Sequence, residues 1–123
     1  MGSLGLDVDA EIKKRSGRLL VEVEVRNSTS LPLEGIDMRL RYDAAEFSSI
    51  GDKKEMIHHL LPGQSATYTF TLEPRRAVEE VPLILRVKAR LLENTLNREV
   101  NLGPISMGVA KGRPEDSDVR AHS

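Results

Sequence analysis

The alternation of apolar and polar residues is clearest between His58 and Pro74, where a turn signal leads directly into a strand signal. Proline presets φ and glycine tolerates a positive φ, so Leu61-Pro62-Gly63-Gln64 predicts a type II turn. After it, apolar and threonine side chains alternate with the period of two that a pleated strand imposes. The predicted inner face carries Ala66, Tyr68, Phe70 and Leu72, and the outer face carries Thr67, Thr69 and Thr71. This segment is therefore predicted to be a half-buried strand that Pro74 ends.

The same period predicts six further strands within one domain that covers residues 4–107. Residues 4–12 and 19–26 both alternate, and Ser16-Gly17 between them predicts a tight turn that joins them as a hairpin. The other predicted strands are a third at 36–42, a short fourth at 56–60, a sixth at 81–91, and a seventh at 96–107 that Gly103-Pro104 interrupts.

The segments between the strands are predicted to be turns and loops. Turn-forming residues over 27–35 are expected to carry the chain from one sheet to the other. Residues 43–54 are predicted to be a long loop in which Phe47 closes the edge of the core, and Asn94-Thr95 is predicted to turn the sixth strand back. The stretch 108–123 is small and polar, without an apolar period, so a disordered tail is expected there.

Short alternating strands without a helix of useful length predict an all-β fold. We expect two antiparallel sheets in an immunoglobulin-like β-sandwich of about seven strands. A chain of 123 residues is long enough for one two-layer core, and a second domain is not expected. The residues predicted to lie near the centre of that core are Val23, Leu40, Tyr68, Phe70, Leu85 and Val87.

Three motifs lie within residues 19–74. Val-Glu-Val-Glu-Val-Arg-Asn-Ser-Thr-Ser (21–30) is followed by Leu-Pro-Leu-Glu-Gly-Ile (31–36), and Leu-Leu-Pro-Gly-Gln-Ser (60–65) precedes the threonine strand. With these motifs the chain resembles immunoglobulin-like accessory domains of the CARDB and adaptin-appendage type. The resemblance implies a module that adheres, positions neighbouring domains or binds peptides, and it implies no catalysis.

Composition excludes several classes of function. The net charge is −1, so bulk charge does not indicate affinity for nucleic acid or for a membrane surface. The chain has no cysteine, which excludes disulfides, thiolate catalysis and cysteine-based zinc sites. No apolar run approaches the roughly 18 residues of a membrane helix, so no membrane span is expected.

Residues with catalytic or metal-binding chemistry are few. His58 and His59 are adjacent, so on a strand they point to opposite faces and cannot hold one metal together. No Gly-x-Ser-x-Gly elbow or phosphate-binding loop is present, and we expect no catalytic residue, cofactor or metal. A small enzyme or metal-binding domain with an unrecognised site remains the alternative. Asn27-Ser28-Thr29 matches the N-glycosylation pattern, which matters only in a secreted protein.

One distributed feature predicts a binding surface. If the third, sixth and seventh strands share a sheet, their outward cations are Arg39, Arg41, Arg86, Lys88 and Arg90. Asp37 and Glu99 offset them, whereas the first two strands expose mainly carboxylates on the opposite side of the sandwich. The cations are expected to bind a protein or acidic peptide, or weakly the acidic sheet of another copy. Nucleic acid is not expected, because Tyr42 and Tyr68 are assigned inward. The alternative is that both sets of charges only solvate the surface.

Overall fold

The chain folds into antiparallel strands throughout the part that the structure describes. The computed structural model describes residues 5–51 and 54–108 and the backbone of a strand at 117–122. The strands are β1 (Leu6–Arg15), β2 (Arg18–Asn27), β3 (Leu33–Arg41), β4 (Phe47–Ile50), β5 (Lys54–Leu60), β6 (Ser65–Pro74), β7 (Val78–Val81), β8 (Ile84–Leu91), β9 (Asn94–Asn101), β10 (Ile105–Met107) and β11 (Ser117–His122).

These strands form two main sheets. One has the order β11-β1-β2-β6-β4, the other has the order β5-β3-β8-β9, and β10 and β7 make a small separate pair. Every pairing is antiparallel. The predicted all-β, antiparallel sandwich class is confirmed. The described residues contain eleven strands where seven were predicted, and the immunoglobulin-like topology stays a prediction.

Both sheets contribute to one hydrophobic core. Of the residues predicted at its centre, Val23, Leu40, Phe70, Leu85 and Val87 are at most 3% exposed. Tyr68 is only half-buried, and its ring meets Phe70 edge-on with 4.8 Å between the ring centroids. The period of two therefore identified the core, with Tyr68 at its margin.

Two predicted turns are confirmed by their backbone geometry. In the Leu61-Pro62-Gly63-Gln64 turn, the Gln64 N–H donates to the Leu61 carbonyl at 2.9 Å and Gly63 has φ +79°. Such a φ is strained for residues with a Cβ, which explains glycine at this position. Ser16 and Gly17 both have positive φ, and the flanking strands pair from Arg15 and Arg18 onward. This is the twist-compatible geometry of a two-residue hairpin turn.

Two loop predictions need correction. The segment 43–54 is not one long loop, because Phe47–Ile50 forms β4 and pairs with the end of β6. Phe47 is 1% exposed and does close the core edge as predicted. A short edge strand with a single inward apolar residue has too little alternation to be recognised. The turn after β8 lies at 92–93 rather than at Asn94-Thr95, since Leu91 and Asn94 are register partners.

The end of the chain also differs from the prediction. The seventh predicted strand is divided into β9 and β10 around Gly103-Pro104, and β9 is an edge strand, as the interruption indicated. A disordered tail was predicted over 108–123, yet Ser117–His122 forms β11 beside β1. Backbone pairing along a sheet edge does not require an apolar period, so the sequence pattern gives no sign of it. Residues 1–4, 52, 53, 109–116 and 123 lie outside the described residues.

Candidate protein-binding face

The predicted cations lie on one side of the four-stranded sheet. As expected, β3, β8 and β9 share that sheet, and β5 extends it beyond β3. We call its outer surface the basic face. Its charged residues are the cations Arg39, Arg41, Lys54, Arg86, Lys88 and Arg90 and the carboxylates Glu34, Asp37 and Glu99. Six cations and three carboxylates leave a formal balance of +3.

The pairing register of the strands places the residues at the centre of the basic face in rows that run across the strands. Arg39 is the register partner of both Lys54 and Arg86, so three cations stand side by side on β5, β3 and β8. Glu99 on β9 ends this row. Like charges directly opposite each other across a sheet are destabilising, so the row has an electrostatic cost in the free domain. The next row is mixed, with Asp37 between Met56 and Lys88.

Ion pairs on the basic face neutralise half of its cations. Arg39 contacts Asp37 at 3.1 Å, and Arg90 contacts Glu34 at 2.7 Å. Arg86 contacts Glu99 more loosely, with 3.5 Å between its Nε and the carboxylate. These side chains are mostly solvent-exposed, so each pair contributes little to stability.

The other three cations have no acidic partner within the described ranges. Arg41, Lys54 and Lys88 are exposed, and no carboxylate of residues 5–51 or 54–108 lies within 4.0 Å of them. They remain available to an anionic partner.

An open groove of about 810 Å³ runs across one end of the basic face. Four of the cations line it, together with the half-buried Tyr42. These cations are Arg39, Arg41, Lys54 and Arg86. The arrangement is a shallow, positively charged surface rather than an enclosed cavity, which suits an extended segment better than a small molecule.

Sequence reasoning missed two residues of this face. Lys54 was assigned to a loop, and Glu34 to the turn-rich segment before β3. Lys54 stands two residues before Met56 and could have been recognised by extending the period of two. Glu34 lacked such a signal, because Leu33 and Ile36 are both buried and the alternation is reset at Gly35. Gly35 has φ +57°, and the register against β8 shifts there, as in a β-bulge.

The opposite side of the sandwich carries the complementary charge. Asp9 pairs in register with Glu24, and Glu11 with Glu22, so four carboxylates form two neighbouring rows on β1 and β2. We call these four residues the acidic face. Lys13 contacts Glu22 at 3.3 Å, and Arg120 of β11 is the register partner of Glu11. On the β6 side the rows continue into the exposed Thr67 and Thr69.

The other chemical candidates do not converge on a site. His58 and His59 are both exposed on the edge strand β5. Within the part of the chain that the structure describes, no three His, Cys, Asp or Glu residues are grouped so as to hold a metal ion.

Asn27, the first residue of the N-glycosylation pattern, is fully buried. Its Nδ2 donates to the carbonyls of Leu31 and Leu60, both at 2.8 Å. Its Oδ1 accepts from the backbone N–H and the hydroxyl of Thr29, at 2.8 and 2.6 Å. We call these four residues the Asn27 cluster. In the folded protein both hydrogens of Nδ2 are engaged, so this nitrogen is not accessible for modification.

The ion pair between Glu46 and Arg76 lies away from both faces and shifts the pKa values of both residues. Arg76 donates to both carboxylate oxygens of Glu46, at 2.7 and 3.1 Å. This hydrogen bonding lowers the pKa of Glu46 below its usual range, and the carboxylate raises the pKa of Arg76. The pair ties the segment before β4 to the segment after β6.

None of the described segments forms a helix of the length and apolarity that crossing a membrane requires. No protein-family model matches the chain, and no curated protein matches it.

Proposed function

We propose that this domain is a non-catalytic protein-interaction module whose basic face binds an acidic segment of a partner protein. The observation that carries the proposal is the row in which Arg39 stands between Lys54 and Arg86. Asp37 and Glu99 each pair with one of the two arginines, yet the three cations still stand side by side, and like charges at this spacing weaken the sheet. An acidic partner would remove that repulsion on binding.

The residue types favour carboxylates as the ligand groups. The guanidinium of arginine is planar and can donate two parallel hydrogen bonds to one carboxylate. It also keeps its charge when a partner partly covers it. Arg41 is exposed without a carboxylate of the described residues beside it, and it lines the same groove as Arg39 and Arg86. The resemblance to accessory domains of the CARDB and adaptin-appendage type, which implies adhesion, domain positioning or peptide binding, is compatible with this proposal.

The spacing of outward residues along a strand further restricts the kind of partner segment that fits the basic face. Outward residues such as Arg39 and Arg41 are two positions apart, which in a strand is about 6.6 Å. Acidic residues at every second position of an extended peptide have the same spacing. The partner segment is therefore an extended peptide in which acidic and uncharged residues alternate, lying along the strands of the basic face.

The test compares two peptides of equal composition. A labelled Glu-Thr-Glu-Thr-Glu-Thr-Glu-Thr peptide is titrated with the domain by fluorescence anisotropy, beside a Glu-Glu-Glu-Glu-Thr-Thr-Thr-Thr peptide. We expect several-fold tighter binding of the alternating peptide, weakening steeply as salt is raised. The variant Arg39→Gln/Arg41→Gln/Lys54→Gln should lose binding.

The matched control removes the same number of cations from the other sheet. Lys13→Gln/Arg18→Gln/Arg26→Gln has the same net charge as the basic-face variant, so it separates local recognition from bulk attraction. We expect it to bind the peptide nearly as well as the unaltered domain. Equal loss of binding in both variants, or no binding of either peptide at low salt, contradicts the proposed function.

A further inference from the structure

Like-charge rows occur on both outer surfaces of the sandwich. On the basic face Lys54, Arg39 and Arg86 are direct neighbours across three strands. On the acidic face the neighbours across β1 and β2 are two pairs of carboxylates. The two surfaces are therefore of opposite charge, and ion pairs within each surface offset part of that charge.

The two surfaces also match in spacing. Neighbouring strands lie about 4.8 Å apart in any sheet, and alternate residues along a strand about 6.6 Å apart. Glu22 and Glu24 on β2 therefore repeat with the same spacing as Arg39 and Arg41 on β3. The carboxylates of one surface can face the cations of the other without a change in backbone conformation.

We propose that the basic face of one copy of this chain binds the acidic face of a second copy. The inference rests on the proposed function, because it uses the same basic face and names its partner as the carboxylates of β1 and β2. The basic face is proposed to bind an extended segment with acidic residues at alternate positions. Strand β2, which carries Glu22 and Glu24, is such a segment.

The geometry makes this association head-to-tail. The two faces belong to different sheets and lie on opposite sides of the core. Two copies cannot satisfy both contacts at once, so each pair leaves one basic and one acidic face open. Contacts between unlike surfaces that do not close a ring extend into chains of copies. Because the contact is made by exposed charges, it is weak and screened over about 8 Å at physiological salt.

Complementary variants test the arrangement directly. One variant, Arg39→Gln/Arg41→Gln/Lys54→Gln, has an altered basic face. The other, Asp9→Asn/Glu22→Gln/Glu24→Gln, has an altered acidic face. Sedimentation velocity at low and high salt follows the unaltered domain, each variant alone, and an equimolar mixture of the two.

Head-to-tail association predicts a specific pattern. The unaltered domain should sediment faster as its concentration rises at low salt, without a plateau at the dimer, and should be monomeric at high salt. Each variant alone should be monomeric. The mixture should form one-to-one dimers and nothing larger, because only one competent pair of faces remains between them. A mixture that stays monomeric, or variants that associate as the unaltered domain does, overturns the proposal.

Peptide binding separates this inference from the proposed function. The variant with an altered acidic face keeps its basic face and should bind the alternating glutamate peptide as tightly as the unaltered domain. If the peptide binds but the unaltered domain stays monomeric at every concentration, self-association is wrong and the proposed function stands. If neither the peptide nor a second copy binds, both the proposed function and the proposed self-association are wrong. Circular dichroism of each variant verifies that the fold is retained.

Discussion

The Asn27 cluster and the basic face use polar groups in opposite ways. In the cluster, the donors and acceptors of one buried side chain are all hydrogen-bonded within the domain. On the basic face, Arg41, Lys54 and Lys88 are exposed without a carboxylate of the described residues beside them. The first arrangement stabilises the fold, because buried polar groups are costly unless they are bonded. The second leaves charge available to a partner.

Among the changes that test this comparison, Asn27→Ala is expected to have the largest effect on stability. The change removes all four side-chain hydrogen bonds and leaves the buried Leu60 carbonyl without its side-chain donor. We expect a loss of about 3 kcal/mol in the free energy of unfolding, measured by urea denaturation. Asn97→Ala, at an exposed position of β9, is the matched control and should stay within about 0.5 kcal/mol of the unaltered domain. A cost as small as the control's would show that the cluster is dispensable.

Single charge changes on the basic face should have small effects of opposite sign. Lys54→Gln removes a like-charge neighbour of Arg39, so stability should rise by a few tenths of a kcal/mol. Arg90→Gln removes the ion pair with Glu34 and should lower stability by at most about 1 kcal/mol. Urea denaturation at low salt measures both. If Lys54→Gln destabilises the domain as Arg90→Gln does, the row is not a site of repulsion.

The Glu46–Arg76 pair is intermediate, since it is fully paired but lies at the surface, and it should have the smallest effect. The hydrogen bond from Arg76 lowers the pKa of Glu46, so the folded state holds this carboxylate ionised more strongly than the unfolded chain does. The stabilisation that this pair contributes is fully present above the usual glutamate pKa of about 4.3. It is lost as the pH falls through the lowered pKa of the folded state.

The measurement is unfolding free energy against pH. Glu46→Gln should flatten the acid side of that curve and leave the shape near neutral pH unchanged. Glu79→Gln, which removes an exposed carboxylate, provides the control. An unchanged acid limb in Glu46→Gln would mean that the pair does not contribute.

Structural features that depend on residues close together in the chain were predicted from the sequence. Features that depend on pairing between distant strands were missed. The Pro62-Gly63 turn and the Ser16-Gly17 hairpin follow from local backbone preferences, and both were predicted correctly. Alternation also assigned the cations of β3 and β8 to an outer surface. It could not show that Arg39 stands opposite both Lys54 and Arg86, because alternation indicates the face on which a residue lies but not its register partner on another strand. For the same reason β4 and β11, each held along a sheet edge, were missed.

The hydrogen bond from Asn27 to Leu60 spans 33 residues, and this separation constrains the order of events during synthesis. At about 5 to 20 residues per second, the ribosome delivers Leu60 roughly 2 to 7 seconds after Asn27. Until then β2 has only β1 as a partner in its sheet, because its other neighbour is β6. An isolated hairpin is marginally stable at best in water. In the nascent chain the β1–β2 hairpin therefore lacks its third strand until β6 is made, and the cluster cannot close before Leu60 has been synthesised.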